Sequence, residues 1–392
     1  CRLAQRTHHQ EIIMASIGTI HTTVSSAVTN TTTSFVEVVE SSALVDGVTY
    51  YVICHALCEG SSGAQVFEWR LVDRTNSDTV LSNSTLKREP ATANAPQSYC
   101  FVGRFTAGSD GGGLAFEQKS PTDTVPCRTQ YLSMILIDVS NLQESDYFFA
   151  NDTTAATHTD TFVSRATLSV STPTSDDTYL MFGWVATDTN SYAKNAEMRM
   201  LVQTSGSVSD IETPFISYEG EDLTEVLNWW ICRPYTMTAN ATSFSVQTRD
   251  DTTFGAENEY LESTIFGLRL NAFENFASRY TDGEDTTTST DWHQLESIAI
   301  TPTASGDVNV FADAVFRPQS TLLSSYERLQ VDGVTSPNTA PESESSCRSN
   351  DATDYLSMPY VTQYSGVKAT SATIDLDAKK NTASDIGWLN NS

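Results

Sequence analysis

The sequence predicts an all-β protein made of three tandem β-sandwich or jelly-roll-like domains of about 129 residues each, a repeat of domain size. Composition is the first reason. Of 392 residues, 53 are Thr and 46 are Ser; Thr favours strands and Ser favours turns, while Ala, Leu, Lys and Glu follow no long helical period. The second reason is that the chain repeats itself three times, with the same strand-like segments in the same order.

A first strand reads Ser34–Val39, then Thr161–Ala166, then Asp291–Glu296, with the aromatics Phe35, Phe162 and Trp292 near the start of each copy. A longer strand follows at Thr49–Leu57, Thr178–Ala186 and Asp307–Val315, whose starts are evenly spaced. Next come Glu68–Leu71, Glu197–Met200 and Tyr326–Leu329, whose arginines Arg70, Arg199 and Arg328 recur at that same even interval. An aromatic strand occupies Ser98–Phe105, Leu227–Tyr235 and Asp354–Tyr360, followed by Leu114–Gln118, Thr242–Gln247 and Ala372–Leu376. The closing strand is Tyr131–Val139, then Ser263–Leu270, and a stub at Ile386–Leu389. A helical solenoid repeats every 20 to 50 residues or so, so this period marks whole domains. The expected boundaries are 14–142, 143–275 and 276–392, the last with an incomplete final strand; residues 1–13 read as a leader or processed end.

Alternation supports strands. Tyr50, Val52, Cys54, Ala56 and Cys58 share one face and Tyr51, Ile53, His55 and Leu57 the other. Both faces are apolar, which predicts a central strand covered on two sides. Phe67, Trp69 and Leu71 instead alternate with Glu68 and Arg70, a half-exposed pattern; Glu327 takes the place of Trp69 in the third copy and predicts a weaker core there. Thr29–Ser34, Asn151–Thr161 and Asp282–Asp291 read as extended linkers joining beads on a string.

Charge excludes one class of partner. With 22 Lys+Arg against 49 Asp+Glu the net charge is -27, and no basic stripe exists for a phosphate backbone, so nucleic acid is not an expected partner. No run of about 18 apolar residues occurs, so no membrane insertion is expected either.

Candidate chemistry is sparse. His8, His9, His21, His55, His158 and His293 show no metal-ligand spacing, and His55 reads as a packed strand residue. Gly108, Gly111, Gly112 and Gly113 lack the Lys and helix of a phosphate loop and predict a flexible hairpin. The seven cysteines do not recur at the repeat spacing and read as buried thiols, with a Cys100–Cys127 bridge left open. Asp176 with Asp177, Glu219–Asp222, Asp282–Asp285, and Asp375 with Asp377 match no calcium loop and read as solvated. Trp229 and Trp230, on opposite faces of one strand, allow at most one exposed ring. No catalytic, cofactor-binding or metal-ligating residue is assigned, and no cofactor is expected.

The order of Thr-rich lead-in, F-x-x-V strand, T-Y strand, x-x-R-L strand, aromatic strand and closing apolar strand resembles tandem β-sandwich repeats in virion structural proteins of tailed bacteriophages. The resemblance covers Met14 onward and brings no catalytic residues with it. It implies a non-enzymatic virion component, a surface decoration or a fibre or appendage part, located on the extracellular particle. The implied partners are further copies of the chain, with a trimer foremost, and other virion proteins. The alternative is an extracellular glycan-binding adhesin in which Trp184 or Trp230 stacks on host surface sugars. A hydrolase on a β scaffold ranks last.

Overall fold

The computed structural model of the chain describes residues 19–62, 65–89, 93–94, 96–140, 142–143, 145–170, 176–188, 195–204, 207–210, 216–219, 225–238, 241–250, 258–272, 283–287, 291–301, 306–318, 324–331, 334–335, 344–348, 356–367, 372–380 and 386–390. Residues 1–13 lie outside the described residues. Apart from two 3-10 turns, all regular structure among the described residues is strand.

The first ten strands are β1 (Thr19–Val24), β2 (Val28–Asn30), β3 (Val36–Glu40), β4 (Thr49–Gly60), β5 (Phe67–Asp73), β6 (Thr79–Val80), β7 (Leu86–Arg88), β8 (Pro96–Thr106), β9 (Leu114–Lys119) and β10 (Cys127–Asp138). The next are β11 (Tyr147–Asp152), β12 (Ala156–Thr157), β13 (Val163–Ser169), β14 (Thr178–Asp188), β15 (Asn195–Thr204), β16 (Ser207–Asp210), β17 (Ile216–Glu219), β18 (Val226–Thr236), β19 (Ala241–Asp250) and β20 (Glu259–Arg269). The last are β21 (Gly283–Thr287), β22 (His293–Ile300), β23 (Gly306–Pro318), β24 (Ser324–Val331), β25 (Val334–Thr335), β26 (Glu344–Arg348), β27 (Leu356–Val367), β28 (Ala372–Lys380) and β29 (Ile386–Asn390).

Sheet order makes the internal repeat explicit. One sheet runs β1-β10-β4-β8, and its counterparts run β11-β20-β14-β18 and β21-β29-β23-β27. Facing these are β3-β9-β5-β7, β13-β19-β15-β17 and β22-β28-β24-β26. Lettered along the chain, each set is B-I-D-G against C-H-E-F, the order of an eight-stranded jelly roll. All pairings are antiparallel, and the three C strands share one irregularity: a register shift against H at Glu37/Val39, Ser164/Thr167 and Gln294/Glu296.

The two-sided apolar D strands determine how the sets pack. The Cβ direction of Gly183 in β14 meets Met200 and Val246 of the same set's second sheet. Its neighbours Phe182 and Trp184, on the opposite face, meet Phe311 of the third set and Phe101 of the first edge-to-face, at 5.6 and 5.1 Å between ring centroids. In β4, Tyr51 stacks on Phe266 at 4.4 Å and His55 packs on Tyr360 at 5.8 Å. Each B-I-D-G sheet is thus covered by its own partner sheet on one face and by the other sets on the other.

The packing is cyclic. β8 packs on β14, β18 on β23, and β27 back on β4; β8, β18 and β27 also touch one another, so the three G strands meet at a common axis. The F strands follow the same rotation: β7 pairs with β18, β17 lies against β27, and β26 against β8. Trp184 and His55 stand one repeat apart at the same D-strand position, and their partners Phe101 and Tyr360 lie opposite the equivalent residues Cys54 and Ala312. One contact is therefore made twice by quasi-equivalent residues.

This corrects the bead-on-string arrangement. The Thr-rich segments expected as linkers contain paired strand: β2 reaches Asn30, Asn151 and Asp152 end β11, β12 pairs with β20, and β21 pairs with β29. Thr fits a sheet-edge strand whose ladder partner supplies the hydrogen bonds, so low hydrophobicity did not prevent pairing. The stub at Ile386–Leu389 is a strand paired on two sides, with β21 along its length and with β23 over Val315–Pro318. The side chain of Glu327 lies outside the described residues.

A buried ion pair fixes the seam between the first and second sets. Arg88 Nη1 donates to Glu225 Oε2 at 3.0 Å, with 1% and 0% of the two side chains exposed, and the Glu89 N–H donates to Glu225 Oε1 at 2.7 Å. Removing one partner of such a pair strands the other in a dry interior. We expect Glu225→Gln to lower stability by about 3–5 kcal/mol, and joint Arg88→Met and Glu225→Leu replacement to restore most of it; urea unfolding of the three proteins measures this.

Candidate functional site

The residues that repeat in the sequence meet in space. Arg70 of β5 lies over the Phe35 ring with its Cζ 3.5 Å from the centroid. Arg199 of β15 lies 4.1 Å over Phe162, and Arg328 of β24 lies 4.2 Å over Trp292. The neighbouring H strand presents an acceptor directly opposite each arginine: Glu117 to Arg70 at 2.7 Å, Gln247 to Arg199 at 2.8 Å and Asp377 to Arg328 at 2.9 Å. Period-2 alternation produces this geometry, because Trp69, Met198 and Leu329 point into the sandwich and send the arginines outward. A second cation joins the first two clasps, Lys119 at 5.4 Å from Phe35 and Arg249 at 4.3 Å from Phe162. The repeated arginine was legible in the sequence. Its aromatic partner repeats as well, but nothing in the sequence joins the two.

Other singled-out residues have structural surroundings. His55 is fully buried between Tyr131 and Tyr360, at 6.0 and 5.8 Å, and neither ring nitrogen has a hydrogen-bond partner; burial holds the imidazole neutral and pushes its pKa down to about 3. Next to it Tyr131 donates to the Val361 carbonyl at 3.0 Å, tying the first set to the third. His158, expected in a linker, is buried and stacked on Tyr260 at 5.2 Å. His21 Nε2 lies 2.9 Å from Ser133 Oγ, a contact between a base and a hydroxyl, but Ser133 is fully buried and the pair links two strands of one sheet.

Cys54, Cys58, Cys100, Cys127 and Cys232 are buried thiols outside any disulfide, so Cys100 and Cys127 form no bridge; burial raises the thiol pKa of Cys54 and Cys127. The glycine loop is tied down rather than flexible: Gly108 N–H donates to Thr75 Oγ1 at 2.7 Å, Gly113 N–H donates to Glu40, and Gly111 and Gly112 adopt φ of 79° and 90°. Asp177 pairs with Arg269 at 3.2 Å, and Asp375 accepts from Gln294 at 3.1 Å. Glu221, Asp222 and Asp282 lie outside the described residues. Among the described residues no three His, Cys, Asp or Glu gather as a metal site, and no helix is long and apolar enough to cross a membrane. Trp184, Trp229 and Trp230 are all buried, so Trp184 and Trp230 offer no ring for sugar stacking. Trp184 of β14 and Trp230 of β18 are cross-strand partners on the face of their sheet that turns to the other sets.

No protein-family model matches the chain, and no curated protein matches it. Among solved structures the chain is similar to a triple jelly roll of the turret assembly of an archaeal virus, at 10% identity and TM-score 0.23 over 95% of this chain and 91% of that one. A chain of Sulfolobus turreted icosahedral virus gives 11% identity and TM-score 0.23 over 93% and 84%. The tandem CBM22-1–CBM22-2 domain of Paenibacillus barcinonensis Xyn10C gives 6% and 0.20 over 64% and 91%. At such TM-scores these likenesses carry no argument, and the jelly-roll assignment stands on strand order.

Two expectations follow. Arg70→Gln and Arg328→Gln should each cost about 1 kcal/mol in urea unfolding, the sum of a half-exposed cation–π contact and ion pair, and Arg70→Lys should restore only part of it. For His55 the folded pKa lies below the unfolded value, so its contribution is complete above pH 6.5 and is lost as pH falls toward 3, at up to about 1.4 kcal/mol per pH unit. Relative to wild type, His55→Leu should therefore gain roughly 2 kcal/mol between pH 7 and pH 4.5; parallel losses in the two proteins would contradict the assignment.

Proposed function

We propose that the chain is a non-enzymatic structural component of a virion, a surface decoration or a fibre or appendage part, carried on the extracellular particle. Its three strand sets are three jelly-roll domains, at 14–142, 143–275 and 276–392, that act as one body. The observation that carries this reading is the cyclic packing: the B-I-D-G faces and the buried polar groups Arg88, Glu225, Tyr131 and Ser133 are taken up in holding the sets and strands together. What such a body turns to its surroundings is a set of outer sheet faces, suited to docking on other virion proteins or on further copies of itself. Membership among tailed-bacteriophage proteins rests on the sequence resemblance alone. The trimer expected of such proteins has its counterpart here within a single chain.

The test is localisation. Mass spectrometry of purified particles that carry the chain should find it in stoichiometric amount, and immunogold labelling should place it at regular surface positions. Particles lacking it, or a soluble pool turning over small molecules or glycans, would overturn the reading.

A further inference from the structure

We infer that copies of this chain associate side by side through the outer faces of their C-H-E strands, one closed body contacting up to three neighbours; this rests on the structural role proposed above. Because the B-I-D-G sheets turn toward the shared axis, the C-H-E faces are the broad surfaces left outward, and there are three of them. Charge selects them as contacts. Two bodies of net charge -27 repel over most of their surface, but on these faces both signs alternate. Lys119 pairs with Glu68 at 2.6 Å, Arg70 and Arg74 share Glu117 at 2.7 and 2.8 Å, Arg249 pairs with Glu197, and Arg328 with Asp377. A mixed, nearly balanced face can meet a second copy of itself without the long-range penalty.

Composition agrees. The part-exposed Phe35, Phe162 and Trp292 with their arginines are the aromatic and Arg mixture that enriches protein interfaces. Beside them Val36 and Val163, at one repeat position in the first two copies, are 39% and 41% exposed, two of the four exposed large apolar side chains among the described residues. The contact is face to face rather than a continued ladder, because all three C strands are sheet edges that carry a register shift, and an irregular edge pairs poorly with another strand. A threefold body with three such faces builds a net or shell.

Sedimentation velocity and negative-stain imaging of the purified full chain test this. From 10 to 150 mM salt the screening length falls from about 30 to about 8 Å, and larger species should appear as repulsion between the acidic bodies is relieved. Joint Val36→Lys and Val163→Lys replacement, at exposed positions, should weaken association at least tenfold with thermal unfolding shifted by only a few degrees. Joint Arg70→Glu, Arg199→Glu and Arg328→Glu should weaken association as well, with a larger fall in thermal stability because each arginine also holds its clasp. The inference is overturned if the variants associate like wild type, if cross-links between copies map to strand-end loops, or if wild type stays monomeric at every salt concentration. Particles that still carry the chain would, in any of those cases, leave the structural role standing.

Discussion

The fold depends on one constraint: the central strand of each B-I-D-G sheet is apolar on both faces and must be covered twice. A jelly roll covers a sheet once, with its own second sheet. The other face of β4, bearing Tyr51 and His55, and of β14, bearing Phe182 and Trp184, has to find apolar partners elsewhere. At roughly 25 cal/mol per Å² of apolar surface removed from water, one buried aromatic of 150–250 Å² gains several kcal/mol. Few polar linkers could hold the sets apart against a seam of such side chains. Three sets with the same requirement satisfy it together by turning those faces to a common axis.

The seams are equivalent in position and differ in chemistry. Where the second set places Trp184, whose Nε1–H donates to the Cys100 carbonyl at 3.0 Å, the first places His55, buried with neither nitrogen bonded. The first-to-second seam adds the Arg88–Glu225 pair and the hydrogen bonds from Ser82 and Asn83 to Glu262 at 2.8 and 3.0 Å. A buried ion pair adds little net stability over apolar packing, but breaking it is costly, which suits it to fixing register. The polar seam therefore constrains how the sets meet, and the aromatic contacts supply most of the attraction. On the outer faces the arginine is kept three times while its acceptor changes from Glu117 to Gln247 to Asp377. Stacking on an aromatic ring tolerates a neutral acceptor, so the ring is the shared element.

Six of the eight strands in each set were legible from the sequence, because C, D, E, G, H and I carry aromatics or apolar alternation that recur at a fixed spacing. B and F strands were not. β1 reads TIHTTV and β21 reads GEDTT, and β7 is only Leu86–Arg88. These strands lie at or near sheet margins, where backbone pairing to a strong neighbour substitutes for hydrophobicity, so no period-2 signal is written into them. The double apolar face of β4 did announce a two-sided environment. What covers the second face cannot be read locally, since Phe266 and Tyr360 are far away in sequence and only the ring arrangement brings them near. The outward clasps were half legible for the same reason: Arg70 and Phe35 each repeat, but their contact crosses from strand C to strand E with H between them.

Carrying three sets on one chain also changes what association means for them. Separate subunits would have to find one another at their solution concentration, whereas tethered sets meet at an effective concentration in the millimolar range. The seams can then be small, irregular and unlike one another, because none has to hold free subunits together. His55 in place of Trp184 is tolerable on those terms. Freed from identical seams, the three outer faces can diverge as well, and Trp292 in place of Phe35 and Phe162 shows that they have. A symmetric homotrimer must repeat every substitution on all of its faces. This chain presents three related but different faces around one axis.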